Sequence, residues 1–226
     1  MRFTRVLVVL VALAGLAPTA GLAGQARVAV AANFADAARE LAGDYGRQSG
    51  HRIDVSAAST GKLYAQIRNG APFDVLLSAD AATPRKLVAE GRADGASLHD
   101  YAVGRLVLWS SNPATVRHGE ALLRRGRIDR LAIANPALAP YGAAAREVLQ
   151  KVGRWDALQP RLVIGENVGQ ATQFATTGAA QAGLVALSLA LAPQLAANTQ
   201  YALVPREWHQ ALVQGAVLLH DKNPAA

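Results

Sequence analysis

The sequence has no cysteine in 226 residues, one methionine, and aromatic side chains at only 5% of positions. Without cysteine, disulfide scaffolds, thiolate-bound zinc, iron–sulfur clusters and thiol nucleophiles are excluded, as is a lipid anchor on a cysteine. The five histidines (His51, His99, His118, His209, His220) are scattered, none three or four positions from another, so no metal-ligand spacing is present. A G-x-S-x-G nucleophile elbow is missing. Thr60-Gly61-Lys62 has the look of a phosphate loop, but position 56 is Ser56 and Leu63 follows the lysine, so the pattern fails at both ends. Gly165-Glu166-Asn167-Val168-Gly169 lacks dinucleotide-binding spacing, and Asp74 and Asp80 flank a strand as local pairing groups. No enzymatic constellation remains.

What is present begins with an address. Arg2 and Arg5 precede a short apolar run, Leu7 to Leu16, and Gly21-Leu22-Ala23 places small residues at a cleavage site. This is the pattern of a secretory signal peptide over residues 1–24, and it predicts an exported, periplasmic protein. The apolar run is too short for a comfortable membrane span. The formal charge of +7 loses two arginines with the leader and becomes +5. Spread over about 200 residues, that charge reads as a solubilising surface, and no nucleic-acid partner is expected.

The remainder alternates strands and helices. Arg27–Ala32 is a short β run, followed by apolar residues Phe34, Ala37, Ala38, Leu41 and Tyr45 on one helical stripe. Strands are predicted at Arg52–Ala58, Phe73–Leu77, Leu106–Trp109, Leu131–Ala134, Arg161–Ile164, Gly183–Leu187 and Val217–His220. Helices are predicted after Ser59, over Pro84–Gly91, over Pro140–Gly153 and over Asn167–Thr177. Strands separated by helices of this length specify an α/β fold with parallel or mixed sheets flanked by helices.

Four strand-to-helix junctions follow one design: Ala32-Asn33, Ser59-Thr60, Pro140-Tyr141 and Asn167-Val168. Asn, Ser and Thr cap helices, which explains any one of them. Together they imply more. In an open α/β sheet such junctions gather around one crevice, and helix N-termini present unpaired N–H groups at a positive dipole end. The candidate ligand is a small oxyanion.

Ala-Val-Ala-Ala-Asn-Phe (29–34), Ser-Thr-Gly-Lys-Leu-Tyr-Ala-Gln-Ile (59–67) and Gly-Ala-Pro-Phe-Asp-Val-Leu-Leu-Ser-Ala-Asp (70–80) resemble the periplasmic molybdate-binding proteins of molybdate ABC importers. Asn-Pro-Ala-Leu-Ala-Pro-Tyr-Gly (135–142) and Gly-Glu-Asn-Val-Gly-Gln-Ala (165–171) match in the same order, so the resemblance covers essentially the whole mature chain. It implies a two-lobed type II periplasmic-binding-protein fold, with the ligand in the inter-lobe cleft. Lobe one would hold residues 27–103 plus about 205–226, and lobe two residues 104–204. It further implies a monomer that binds molybdate or tungstate and delivers it to an inner-membrane ABC permease, with no cofactor and no chemistry. Molybdenum would be held as its oxyanion and not coordinated directly.

Carried over position by position, the resemblance puts the ligand at Ala32 and Asn33, at Thr60 with Ser59 adjacent, at Tyr141 and at the backbone of Val168. Some relatives use a tyrosine from a later strand; that position here is Ala186, and Tyr141 is expected to replace it from the opposite wall. Relatives usually continue past the Val-Leu-Leu-His strand with a helix on lobe one, whereas this sequence stops at Ala226. Lower stability than a full-length relative is the expectation. A same-fold binder of sulfate or thiosulfate is the alternative reading.

Overall fold

The computed structural model describes residues 24–196 and 200–220. The expected leader lies outside the described residues apart from Gly24, as do residues 221–226. Among the described residues the strands are β1 (Gln25–Ala31), β2 (Arg52–Ala58), β3 (Val75–Leu77), β4 (His99–Gly104), β5 (Leu106–Ser110), β6 (Leu131–Ala134), β7 (Leu162–Gly165), β8 (Ala182–Ala186), β9 (Gln200–Leu203) and β10 (Leu212–Leu218). The α-helices are α1 (Ala35–Ser49), α2 (Thr60–Arg68), α3 (Ala82–Ala89), α4 (Pro113–Val116), α5 (Gly119–Arg125), α6 (Pro140–Lys151), α7 (Trp155–Leu158), α8 (Val168–Thr176), α9 (Leu187–Ala190) and α10 (Pro193–Ala196).

The strands form two five-stranded sheets with matching plans, β2-β1-β3-β10-β4 and β7-β6-β8-β5-β9. In the first, β1 runs parallel to β2 and β3, while β10 is antiparallel to β3 and β4. In the second, β6 runs parallel to β7 and β8, and β5 is antiparallel to β8 and β9. The chain passes between the sheets at Gly104–Leu106 and again between β9 and β10.

Side-chain alternation along β1 explains how the first sheet is covered on both faces. Ala29 packs with Leu63, Ile67, Leu76, Leu87 and Val217, whereas Val28 and Val30 face Ala38 of α1. The second sheet is drier. Every residue of β5, β6 and β8 is buried, as expected of strands covered on both faces. Its core extends across the cleft to Ala31 and Ala79 of the first lobe, so the two lobes are in contact.

The structure departs from the sequence reading in several places, and the short helices α4, α5, α7, α9 and α10 have no counterpart in it. β4 and β9 were not foreseen; both are edge strands with a single partner, and their mixed sequences carry little periodic signal. The last strand starts at Leu212, five residues earlier than expected. On α1 only Ala35 and Ala38 are buried, while Leu41 and Tyr45 are 59% and 50% exposed, so the predicted stripe faces outward over its second half.

Candidate functional site

The four junctions sit at the carboxyl ends of parallel strands. β1 runs into a single 3-10 turn, Ala32–Phe34, that leads into α1. β2 ends at Ala58, and Ser59 opens α2; β6 leads through Asn135–Ala139 to α6; β7 leads to Asn167, which opens α8. The expected capping role holds at only one of them. Asn167 accepts from the Gln170 amide at 3.0 Å, whereas Ala31, Ser59 and Ala139 give their helices no side-chain cap. The first-turn amides of Thr60 and Tyr141 thereby have no side-chain acceptor, whereas those of Gly61 and Gly142 bond to the Leu138 and Ala139 carbonyls. The first turns of α2, α6 and α8 carry no acidic residue that would compete for them.

Cross-cleft contacts bring these junctions together. The Gly61 amide donates to the Leu138 carbonyl at 2.9 Å, tying the start of α2 to the loop before α6. A Cβ on Gly169 would lie 3.7 Å from that of Ala32, so the start of α8 meets the first turn. The Ser188 hydroxyl donates to the Asn33 carbonyl at 2.7 Å. At the rim, Lys62 pairs with Glu166 at 3.3 Å, with both side chains more than half exposed.

Between these contacts the junction residues are buried and neutral. Asn33, Ser59, Thr60, Tyr141 and Val168 are each 2–3% exposed, and Ala32 is half-buried. Among the described residues the buried polar side chains are Asn33, Ser59, Thr60, Ser78, Ser110, Thr172 and Gln214, with no cation or carboxylate in the set. Two of them aim a polar atom at nothing: Ser59 Oγ and Asn33 Oδ1 are buried without a partner. In a folded interior such atoms call for an explanation; an anion would accept from the Ser59 hydroxyl, but it offers no proton to Asn33 Oδ1.

Ser59 and Thr60 now separate. Thr60 Oγ1 accepts from the Ala79 amide at 3.1 Å and faces Ser78 Oγ at 3.5 Å, so it holds the end of β3 in place. Ser59 Oγ has no protein partner, whereas Thr60 accepts both of its bonds and keeps its own proton to donate. Tyr141 is neutral, because burial pushes its phenol well above the ordinary value of 10.0, against a lesser opposing effect of the Gln214 hydrogen bond. Burial raises Tyr101 in the same way, with nearby Tyr141 adding to it, and its hydroxyl donates to the Ser78 carbonyl at 3.1 Å. Ala186 ends β8 beside Leu106 and is fully buried.

Sequence reasoning missed Gln214. It lies on β10, 4% exposed, where a register shift between Gln214 and Gly215 interrupts the ladder with β4. Asn33 Nδ2 donates to Gln214 Oε1 at 2.9 Å, and Gln214 Nε2 donates to the Tyr141 hydroxyl at 3.4 Å. A lone glutamine followed by glycine inside an apolar strand was the available signal. A surface groove of about 750 Å³, lined by Arg27, Asp74, Glu90, Arg92 and His220, lies at the opposite strand ends and shares none of these groups.

Two lobes with matching mixed sheets, closed on a neutral, donor-rich cleft, define a two-lobed type II solute-binding protein. Residues 26–226 match the family of bacterial extracellular solute-binding proteins. The chain is 44% identical to the molybdate-binding protein ModA of Rhodobacter capsulatus over 191 residues, 84% of this chain and 74% of that protein. It is 42% identical to ModA of Azotobacter vinelandii over 215 residues, 94% of this chain and 85% of that one. The solved structure of the Azotobacter vinelandii periplasmic molybdate-binding protein superposes with a TM-score of 0.80 at 40% identity, covering 86% of this chain and 85% of the other. The chain belongs to the bacterial extracellular solute-binding proteins and, within them, to the ModA proteins.

Proposed function

We propose that this chain captures molybdate, and tungstate with it, in the inter-lobe cleft and delivers the anion to the permease of an inner-membrane ABC importer. The observation that carries the reading is the set of helix N-termini without side-chain caps beside buried neutral hydroxyl and amide groups; among the described residues no Lys or Arg is fully buried with them, although Arg105 Nε is itself buried without a partner. Each helix end contributes about 0.3–1 kcal/mol to holding an anion, up to ~2 when desolvated. Each hydrogen bond to the charged oxygens contributes about 1.5–3 kcal/mol. Roughly six such donors support a dissociation constant at or below about 1 µM once association costs are met. The proposed ligand groups are Asn33, the Ser59 hydroxyl, Tyr141 and the backbone at Ala32, Thr60 and Val168.

Molybdate and tungstate are fully ionised at neutral pH and nearly equal in size, so the same donors serve both. Sulfate has the same charge and shorter bonds, which leaves cleft size to reject it. Hydrogen phosphate brings a proton that needs an acceptor, and Asn33 Oδ1 is the one buried amide oxygen in the lining without a partner. Phosphate discrimination therefore depends on where that oxygen points. Closure is the signal to the permease, because ligand favours the closed state through its differential affinity. Periplasmic export follows from the leader sequence, and a monomer suffices because the residues of one chain line the whole cleft.

Calorimetric titration of the mature protein with molybdate, tungstate, sulfate and phosphate tests the reading. One-to-one binding of the first two, with the others weaker by at least a hundredfold, is expected. A folded sample that ignores molybdate, or prefers sulfate, overturns it.

A further inference from the structure

We infer that Gln214 is a positioning residue of this cleft, which turns the Tyr141 hydroxyl proton toward the bound anion; the inference rests on the molybdate reading above. The hydrogen bonds run in one direction, from Asn33 Nδ2 to Gln214 Oε1 at 2.9 Å and from Gln214 Nε2 to Tyr141 Oη at 3.4 Å. A phenol has one proton and two acceptor positions. With Gln214 donating to its oxygen, Tyr141 keeps its proton free to donate elsewhere. Reversing the glutamine amide would make Gln214 an acceptor, draw the phenol proton into the protein and remove one donor from the cleft.

Three features hold the glutamine in this role. It lies 4% exposed, so water does not compete for its amide. The register shift after it re-aims the strand at this point, as bulges beside binding sites do. Gly104 backs it closely: a Cβ there would lie 2.3 Å from Tyr141 Oη and 2.8 Å from Gln214 Nε2, so both groups are packed against the strand that crosses between lobes. Gln214 also spans the sheets, linking the first-lobe Asn33 to the second-lobe Tyr141 on α6. Polarity of the donors and closure of the lobes thus meet at one side chain.

The test combines titration with tyrosine Raman spectra of wild type, Gln214→Met, Tyr141→Phe and the double variant. Gln214→Met keeps the length and removes both hydrogen bonds. Molybdate affinity is expected to fall about ten- to hundredfold, the usual worth of one hydrogen bond to a charged group. The loss should be at least several-fold smaller in the Tyr141→Phe background, because the two residues act through one another. Additive losses, or wild-type affinity in Gln214→Met, overturn the inference. The Raman doublet of Tyr141, isolated by subtracting the Tyr141→Phe spectrum, reports whether the phenol donates or accepts. It is expected to change in Gln214→Met with or without molybdate, and an unchanged doublet overturns the inference as well. Should Gln214→Met fail to fold, a wild-type doublet showing Tyr141 as an accepting phenol upholds the inference, and one showing its proton given inward overturns it. A wild-type protein that does not bind molybdate strikes the functional reading instead, and the spectra still decide the role of Gln214.

Discussion

The amide of Gly61 donates across the cleft to the carbonyl of Leu138 at 2.9 Å, and a Cβ on Gly61 would stand 2.9 Å from that oxygen and 3.2 Å from the Leu138 Cα. The atoms it would strike are backbone, which cannot swing aside as a side-chain tip can. The glycine is therefore matched to the closed arrangement of the lobes. Gly61→Ala should penalise closure by about 1–3 kcal/mol, the usual cost of overpacking, and weaken molybdate binding about five- to a hundredfold. The ligand-free melting temperature should change little, because an opened cleft relieves the clash. Equal losses of ligand-free stability and affinity would contradict this account.

Ser59 and Thr60 are adjacent and equally buried, yet their hydroxyls do different work. Ser59 Oγ has no protein partner, whereas Thr60 Oγ1 accepts the Ala79 amide. Ser59→Ala should cost about ten- to hundredfold in molybdate affinity with little change in melting temperature, since it removes a donor to a charged ligand. Thr60→Val should lower the melting temperature, because it strands the buried Ala79 amide at a cost of about 1–3 kcal/mol. Calorimetry and thermal melts on the two variants check the assignment, and a reversed pattern would return the ligand hydroxyl to Thr60.

How far the sequence foretold this site depends on the residue. The four junctions were legible because Asn, Ser and Pro at strand-to-helix transitions leave a local mark, and Asn33, Ser59, Tyr141 and Val168 all fall on them. What local chemistry could not reveal was which hydroxyl oxygen already accepts a bond, since Thr60 Oγ1 takes the amide of Ala79, nineteen positions away. Gln214 was hidden for the same reason: its partners Asn33 and Tyr141 lie 181 and 73 residues distant. In the fold, the buried strands β5, β6 and β8 announce themselves as apolar runs, while the edge strands β4 and β9 mix polar and apolar residues. The stripe Leu41–Tyr45 on α1 marks a helix correctly but not the face it buries, because periodicity records an apolar side without saying what covers it.

Two desolvated phenols, the buried Tyr141 and the half-buried Tyr101, give the protein an alkaline limit. Burial raises Tyr101 and Tyr141 above their ordinary value of 10.0, so each is protonated in the folded state where an unfolded chain would begin to ionise. Their contribution to stability is complete below about pH 10 and is lost as pH rises beyond it, since only the unfolded state then gains by releasing protons. Melting temperature should fall more steeply above pH 10 in wild type than in Tyr101→Phe or Tyr141→Phe. Molybdate affinity should stay flat from about pH 7 to 9, where the phenol remains a neutral donor. A titration of affinity within that window would mean that another group controls the site.

Gly104 is the last residue of β4, where the chain leaves one sheet for the other, and its bare Cα is what allows Tyr141 Oη to approach. A methyl group there would lie 2.3 Å from the hydroxyl and 3.1 Å from Tyr141 Cζ. The tyrosine is 2% exposed and anchored on α6, so the ring has little room to retreat. Gly104→Ala should displace the hydroxyl from its position over the cleft and weaken molybdate binding at least as much as Tyr141→Phe, about tenfold or more. The same substitution in a Tyr141→Phe background should do less further harm, because the atom it strikes is gone. Titration of the two single variants and the double variant checks this. Full additivity would mean that Gly104 serves the crossing strand itself rather than the space beside the phenol.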